Sequence, residues 1–150
     1  MLYNGLLIFH SYFRWVVLFG LLFNLLTSFY KYKLQYSFKI KDYLIAKFAV
    51  ILCYIQAVIG LSLYYLSPFV KSFYQNTNLN IHNREIRFFS IEHSLMMLVA
   101  IIVITVGTRK SKSSKNGFKV IFIWFFIAIF IILLNIPWEF SPLVHRPLLR

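Results

Sequence analysis

Hydrophobic residues form four long, unbroken runs along the chain. The runs extend from about Tyr3 to Tyr30, Tyr43 to Leu66, Ile86 to Thr108 and Phe118 to Ile136. Each is near or above the ~20 residues that a helix needs to cross ~30 Å of hydrocarbon. Transmembrane strands are excluded because the runs do not alternate with polar residues and are too long. The pattern predicts an all-α membrane protein, residues 1–150, with one domain of four transmembrane helices in an up-down-up-down bundle.

Proline and asparagine mark the limits of these runs. Pro68 closely follows the second run and Pro137 follows the fourth, and both disfavour helix at the residue before them. The connection at residues 68–85 carries four asparagines. It predicts a polar segment outside the membrane, either a solvated loop or a loop ordered against the bundle.

The composition agrees with a membrane protein. Hydrophobic residues make up 60% of the chain and charged residues 13%, against about 45–50% and ~25% in soluble domains. This excludes a soluble globular protein, a disordered tail and a nucleic-acid-binding protein. The net charge of +12 does not indicate nucleic-acid binding, because the basic residues lie in short stretches between the apolar runs. The N-terminus lacks the basic region and small-residue site of a cleavable signal peptide.

Basic residues are distributed unequally between the two sides of the predicted bundle. Ten flank the first and third connections, and five lie on the other side. By the positive-inside rule, both termini face away from the cytoplasm, which in a bacterium means the periplasm. We therefore expect a multi-pass protein of the bacterial inner membrane, whose basic loops set the orientation or also contact anionic lipid. The ten are Lys31, Lys33, Lys39, Lys41, Lys47, Arg109, Lys110, Lys112, Lys115 and Lys119, and the five are Lys71, Arg84, Arg87, Arg146 and Arg150.

Four ionisable residues lie within the apolar runs, where such groups are costly and are functional candidates. They are His10, Arg14, Glu92 and His93. His10 and His93 each lie six residues inside their helix, roughly 9 Å below the same membrane surface. Two neutral imidazoles at one depth favour axial ligation of a haem iron between diagonally opposed helices. The small residues expected beside the haem disc are Gly20, Ala57, Gly60 and Ala100.

The other polar residues of the runs each have two interpretations. Arg14 shares a helix face with His10 and can hold a haem propionate or a quinone oxygen, or pair with Glu92 as a strut. Gln56 is either an interhelical hydrogen-bond donor or a quinone ligand. Met97 is expected to pack rather than bind copper. The remaining histidines, His82 and His145, are expected to be solvated.

Several short motifs resemble those of small four-helix bacterial membrane proteins labelled cytochrome b-like. The resemblance implies one b-type haem ligated by His10 and His93. We predict that Arg14, Gln56, Gly60 and Glu92 complete the cofactor site. The motifs are His10-Ser-Tyr-Phe-Arg14-Trp15, Gln56-x-x-x-Gly60, Pro68, Glu92-His93-Ser-Leu-Met-Met97 and Ile136-Pro137-Trp138.

The chain lacks a characteristic motif of each of two other families of helical membrane proteins. Larger cytochrome b bundles carry a second histidine thirteen or fourteen residues after the first, for a second haem. Here Asn24 and Gly107 stand fourteen residues after His10 and His93, so only one haem site is expected. Small membrane-bound protoporphyrinogen oxidases carry a Pro-Arg-Leu-Phe-Val-Tyr-His-like stretch at the end of their first helix. Residues 25–32 lack it, which argues against that enzyme.

The sequence thus favours a b-haem-binding protein that transfers electrons at the periplasmic side. Its expected partners are the bilayer, quinol or a redox protein, and the subunits of a respiratory complex. Two alternatives stay open: a haem-free structural subunit of a membrane assembly, and metal transport through His10, Glu92, His93 and Met97. An electron-transfer or accessory subunit is favoured over a stand-alone enzyme.

Overall fold

A computed structural model describes Leu2–Trp138, and this part of the chain is helical and contains no strand. Four of its spans are long and apolar enough to cross a membrane: α1, α2, the continuous stretch Arg84–Ser113, and α7. The prediction of an all-α protein with four such helices is confirmed. The elements are α1 (Leu2–Lys33), α2 (Ile40–Leu66), α3 (Pro68–Gln75), α4 (Thr77–Asn80), α5 (Arg84–Arg87), a π-helical turn (Phe88–Glu92), α6 (His93–Ser113) and α7 (Gly117–Leu134).

The helix limits differ from the predicted ones by a few residues. α1 continues to Lys33 and α6 to Ser113, beyond their apolar runs, and each has two lysines in its last turn. Cations are favourable there because they face the negative end of the helix dipole, and their stems extend toward water. α7 ends at Leu134 rather than Ile136, since Pro137 disfavours helix at the residue before it.

The long helices pack in a ring. α1 contacts α2 and α7, and α6 contacts the same two helices. α1 and α6 therefore lie on a diagonal, as the haem interpretation requires. The connections at residues 34–39 and 114–116 lie together at one end of the bundle, which we call the basic end. We call the opposite end, where α1 and α6 begin, the cavity end.

The main hydrophobic core lies between these ends. Ala46, Ala49 and Cys53 of α2 are buried in it, together with apolar side chains of the other helices. Gly107 of α6 lies directly against Trp124 of α7, and an added Cβ atom at this position would overlap the Trp124 side chain. Only glycine fits at this position, so no side chain of any kind can replace it without moving α7.

The connection at residues 68–85 is ordered against the bundle, as one of the two interpretations of its sequence predicts, and it is helical rather than a loop. It forms α3 and α4 and the start of α5. α3 buries Val70 and Phe73, and the Ser67 hydroxyl caps it by accepting from the Val70 N–H at 3.5 Å. The Asn83 side chain caps α5 in the same way, with a bond of 3.2 Å from the Ile86 N–H. The asparagines here end and begin helices rather than simply solvating a loop.

Candidate functional site

A cavity of about 250 Å³ lies between the long helices at the cavity end. Its wall is mainly apolar and includes Ala57, Met97 and Ala100, as well as Phe69 and Val70 of α3. The two alanines are at the cavity wall, where small residues beside a cofactor were predicted, and Met97 packs in the same wall. The side chains in the wall that carry a hydroxyl, amide, imidazole or guanidinium group are Tyr3, His10, Ser11, Arg14, Gln56, Tyr64, Ser67, His93 and Ser94.

His10 is held by two residues of α2 that are one turn apart. The Gln56 side-chain N–H (Nε2) donates to the His10 main-chain oxygen at 3.0 Å. Gly60 lies against the imidazole, because a Cβ atom at this position would be 3.3 Å from Cε1 of the ring. The Gln56-x-x-x-Gly60 motif therefore cradles His10. The Nδ1 atom of that ring is buried and has no hydrogen-bond partner within Leu2–Trp138.

His93 is oriented by the end of α7. Its Nδ1 atom lies 2.8 Å from the main-chain oxygen of Asn135. A carbonyl oxygen can only accept, so Nδ1 carries the ring proton and Nε2 keeps its lone pair. This is the tautomer that a metal-ligating histidine has when its outer nitrogen is fixed by a carbonyl. The rings of Phe88 and Phe89 flank the imidazole at centroid distances of 5.7 and 6.4 Å.

The π-helical turn just before His93 is a feature that the sequence pattern did not predict. The His93 main-chain N–H donates to the Phe88 oxygen, five residues earlier. The wider turn releases main-chain carbonyls, and that of Ser90 accepts from the Tyr64 hydroxyl at 3.0 Å. Turns of this kind occur often at functional sites. Here the π-helical turn rotates His93 relative to α5, and the turn itself is hydrogen-bonded to α2 through Ser90 and Tyr64.

Glu92 does not belong to the cavity, contrary to its predicted role. Its carboxylate accepts from Nε of Arg87 at 2.7 Å. Arg87 and Glu92 are five residues apart in sequence. The π-helical turn places side chains at this spacing on the same face of the helix. The alternative in which Arg14 pairs with Glu92 as a strut is therefore wrong. Arg14 lines the cavity, and its guanidinium lies 5.3 Å from the ring centre of Trp15.

The remaining candidates fall outside this cavity. Gly20 packs near Leu52 and is not part of the wall, so its predicted place beside the disc is wrong. His82 is exposed in the connection after α4, and His145 lies outside the described residues. Asn24 borders a separate pocket of about 50 Å³ toward the basic end, together with Lys31 and Asp42.

The two imidazoles in the wall are the side chains of this cavity that could hold the iron of a haem. Among Leu2–Trp138, no three His, Cys, Asp or Glu side chains are grouped as a metal site requires. A haem iron takes only its axial ligands from the protein, and two imidazoles border this cavity. Its volume is slightly below the 300–1,000 Å³ of typical cofactor pockets. Leu61 and Leu98 in its wall are 56% and 46% exposed, so these two side chains face both the cavity and the outside of the bundle.

Comparisons of this chain with protein-family models, curated proteins and solved structures return no match.

Proposed function

We propose that this chain is a b-type haem-binding, multi-pass protein of the bacterial inner membrane that transfers electrons at its periplasmic side. The observation that carries the proposal is the pair His10 and His93. They reach one cavity from diagonally opposed helices, and His93 has the tautomer of a ligand. The basic end would face the cytoplasm under the positive-inside rule.

The residues of the chain have distinct roles in this proposal. His10 and His93 would ligate the iron through their Nε2 atoms, and the bound haem would supply one-electron redox chemistry. The Asn135 carbonyl keeps the proton of His93 on Nδ1. Gln56 and Gly60 fix the position of His10. Arg14 contributes a permanent positive charge to the wall, which favours a ligand with carboxylates such as haem propionates.

A single haem near one membrane surface needs partners on that side. It cannot carry electrons across the bilayer alone, and position 107 has no space for a second ligand. The chain would therefore work as an accessory subunit of a respiratory assembly, receiving electrons from or passing them to a partner at the periplasmic face.

Haem content tests the proposal. The protein is purified from a host supplied with haem precursor, and its haem is quantified as the pyridine adduct, with copper measured in the same sample. We expect one b-type haem per chain and no stoichiometric copper. Protein that is folded but free of haem would contradict the proposal and favour a structural subunit. Stoichiometric copper without haem would favour metal transport.

A further inference from the structure

The contact with Asn135 fixes one atom of the His93 ring but not the plane of the ring. A single hydrogen bond at Nδ1 leaves the imidazole able to tilt about that atom. The side chains that limit this tilt are Phe88 and Phe89, whose rings flank the imidazole at interplanar angles of 39° and 62°. Both belong to the π-helical turn. The plane of the imidazole therefore depends on the shape of the turn.

Two side-chain contacts hold the π-helical turn, and they differ in their exposure to solvent. Because such turns are rare, we expect the turn to need contacts of this kind. The Arg87–Glu92 ion pair spans the turn, but both of its side chains are 36% exposed and solvent screens the attraction. The hydrogen bond from the Tyr64 hydroxyl to the Ser90 carbonyl is part-buried and comes from another helix. It is therefore the contact on which we expect the turn to depend more.

The direction of the hydrogen bonds around Tyr64 follows from the groups that it meets. A main-chain oxygen only accepts, so the hydroxyl proton of Tyr64 points to Ser90. The Tyr64 oxygen is then an acceptor, and the hydroxyl oxygen of Tyr74 lies 3.1 Å from it. Donation therefore runs from Tyr74 to Tyr64 to the Ser90 carbonyl, and bonds in such a chain strengthen one another. Tyr74 is 66% exposed, so water can replace it as the donor.

α3 contacts the turn a second time through an aromatic pair. The ring of Phe69 lies 5.8 Å from that of Phe89, at an interplanar angle of 30°. Phe69, Phe89 and Tyr64 all line the cavity, as His93 does. This part of the cavity wall, the π-helical turn and the imidazole are thus joined by direct contacts.

We propose that Tyr64 is a positioning residue for His93. Its hydroxyl group keeps residues 88–92 in the π-helical form, and the turn holds its two phenylalanine rings against the imidazole, which keeps Nδ1 on the Asn135 carbonyl. The inference deepens the proposed function and rests on it only for the role of His93 as an iron ligand. The arrangement of the ring is a property of the haem-free protein, so it can be measured without haem.

Nuclear magnetic resonance of the histidine side chains tests the proposal. The full-length, haem-free protein carries nitrogen-15 in its histidines and is placed in phosphatidylcholine nanodiscs, and the His93 signals are those lost in His93→Ala. We expect the His93 proton to lie on Nδ1 in the unaltered protein. In Tyr64→Phe we expect the ratio of Nδ1–H to Nε2–H to fall about tenfold, the effect of one buried hydrogen bond. The reason is that a ring that tilts away from the Asn135 carbonyl loses its preference for a proton on Nδ1.

Tyr54→Phe is the matched control for this measurement. It removes a hydroxyl contact of the same helix, 2.8 Å from the Thr105 hydroxyl, but that contact ends on α6 rather than on the turn. We expect its His93 tautomer to match that of the unaltered protein. Tyr74→Phe is expected to shift the ratio less than Tyr64→Phe, since water can donate in its place. An unchanged tautomer in Tyr64→Phe, or an equal shift in Tyr54→Phe, overturns the proposal. Tyr64→Leu also lacks the donor and replaces Tyr64→Phe if that variant does not fold.

Titration of the same variants with hemin separates this inference from the haem proposal. Where both hold, Tyr64→Phe is expected to bind hemin about tenfold more weakly than Tyr54→Phe, the effect typical of a group that orients a ligand. Protein that shows the tautomer shift but binds no hemin retains Tyr64 as the positioning residue of His93 and contradicts the proposed function alone. Protein that binds hemin but keeps its tautomer in Tyr64→Phe retains the proposed function and overturns the role of Tyr64.

Discussion

Nδ1 of His93 lies 2.8 Å from the main-chain oxygen of Asn135, so the last turn of α7 determines which nitrogen of the imidazole is free. The contact joins residues that are 42 positions apart. It depends on α7 ending at Leu134, because the carbonyl of Asn135 is then no longer used within a helix. A terminus of one helix thus determines the tautomer of a side chain on another.

The contact between Gly60 and His10 predicts a specific sensitivity. Gly60→Ala places a Cβ atom 3.3 Å from Cε1 of the ring, and Gly60→Val requires a larger shift. Since changes to groups that orient a ligand typically cost ten- to hundredfold in affinity, we expect about a tenfold loss of haem affinity for alanine and more for valine. Haem titration measures this. Gly20→Ala is the control, because its Cβ atom would make only an ordinary 3.5 Å contact with Leu52; equal effects at both glycines would count against the cradle.

Gly107 is predicted to be essential for packing α6 against α7. In Gly107→Ala the added Cβ atom would overlap the Trp124 side chain, so the helices must separate. Overpacking of this kind costs roughly 1–3 kcal/mol, and we expect a lower midpoint of thermal unfolding in detergent. Gly5→Ala is a suitable control, since nothing lies within 4 Å of the added atom. A Gly107 variant as stable as the Gly5 variant would show that this contact is looser than described.

Glu92 is predicted to couple to Arg87 and not to Arg14. Both side chains of the Arg87–Glu92 pair are 36% exposed, so solvent screens the interaction and a coupling of about 0.2–1 kcal/mol is expected. Double-mutant cycles of thermal unfolding with Glu92→Gln, Arg87→Gln and Arg14→Gln measure it. A larger coupling energy between Glu92 and Arg14 would contradict this and support the interhelical pair that the sequence suggested.

The four spans were predictable, whereas the details of the site were only partly so. Bilayer thickness imposes a length and a composition that are visible in the sequence, and the limits of α1 and α2 agree within three residues. Glu92 does not line the cavity as predicted, because the π-helical turn directs its carboxylate to Arg87. The π-helical turn that pairs Glu92 with Arg87 is accompanied by a tertiary hydrogen bond between Ser90 and Tyr64, and no local pattern reveals such a bond.

The orientation of the bundle can be tested with single cysteines. In a Cys53→Ala background, Asn78→Cys and Ser113→Cys place thiols at exposed positions of opposite ends. Because ten basic residues flank the basic end, we expect a membrane-impermeant thiol reagent to label Asn78→Cys once the outer membrane is permeabilised, and to leave Ser113→Cys unlabelled until the inner membrane is opened. Labelling of Ser113→Cys alone would reverse the orientation and move the cavity to the cytoplasmic side.

Spectroscopy of the haem iron tests directly whether His10 and His93 are its axial ligands. Electron paramagnetic resonance of the ferric protein reports the ligands, and His10 and His93 are the only imidazoles among Leu2–Trp138 that border the cavity. We expect a low-spin, bis-imidazole signal in the unaltered protein and in His82→Ala, whose side chain is exposed. His10→Ala and His93→Ala should each give a high-spin signal or lose the haem. A low-spin bis-imidazole signal retained in both of these variants would contradict the account.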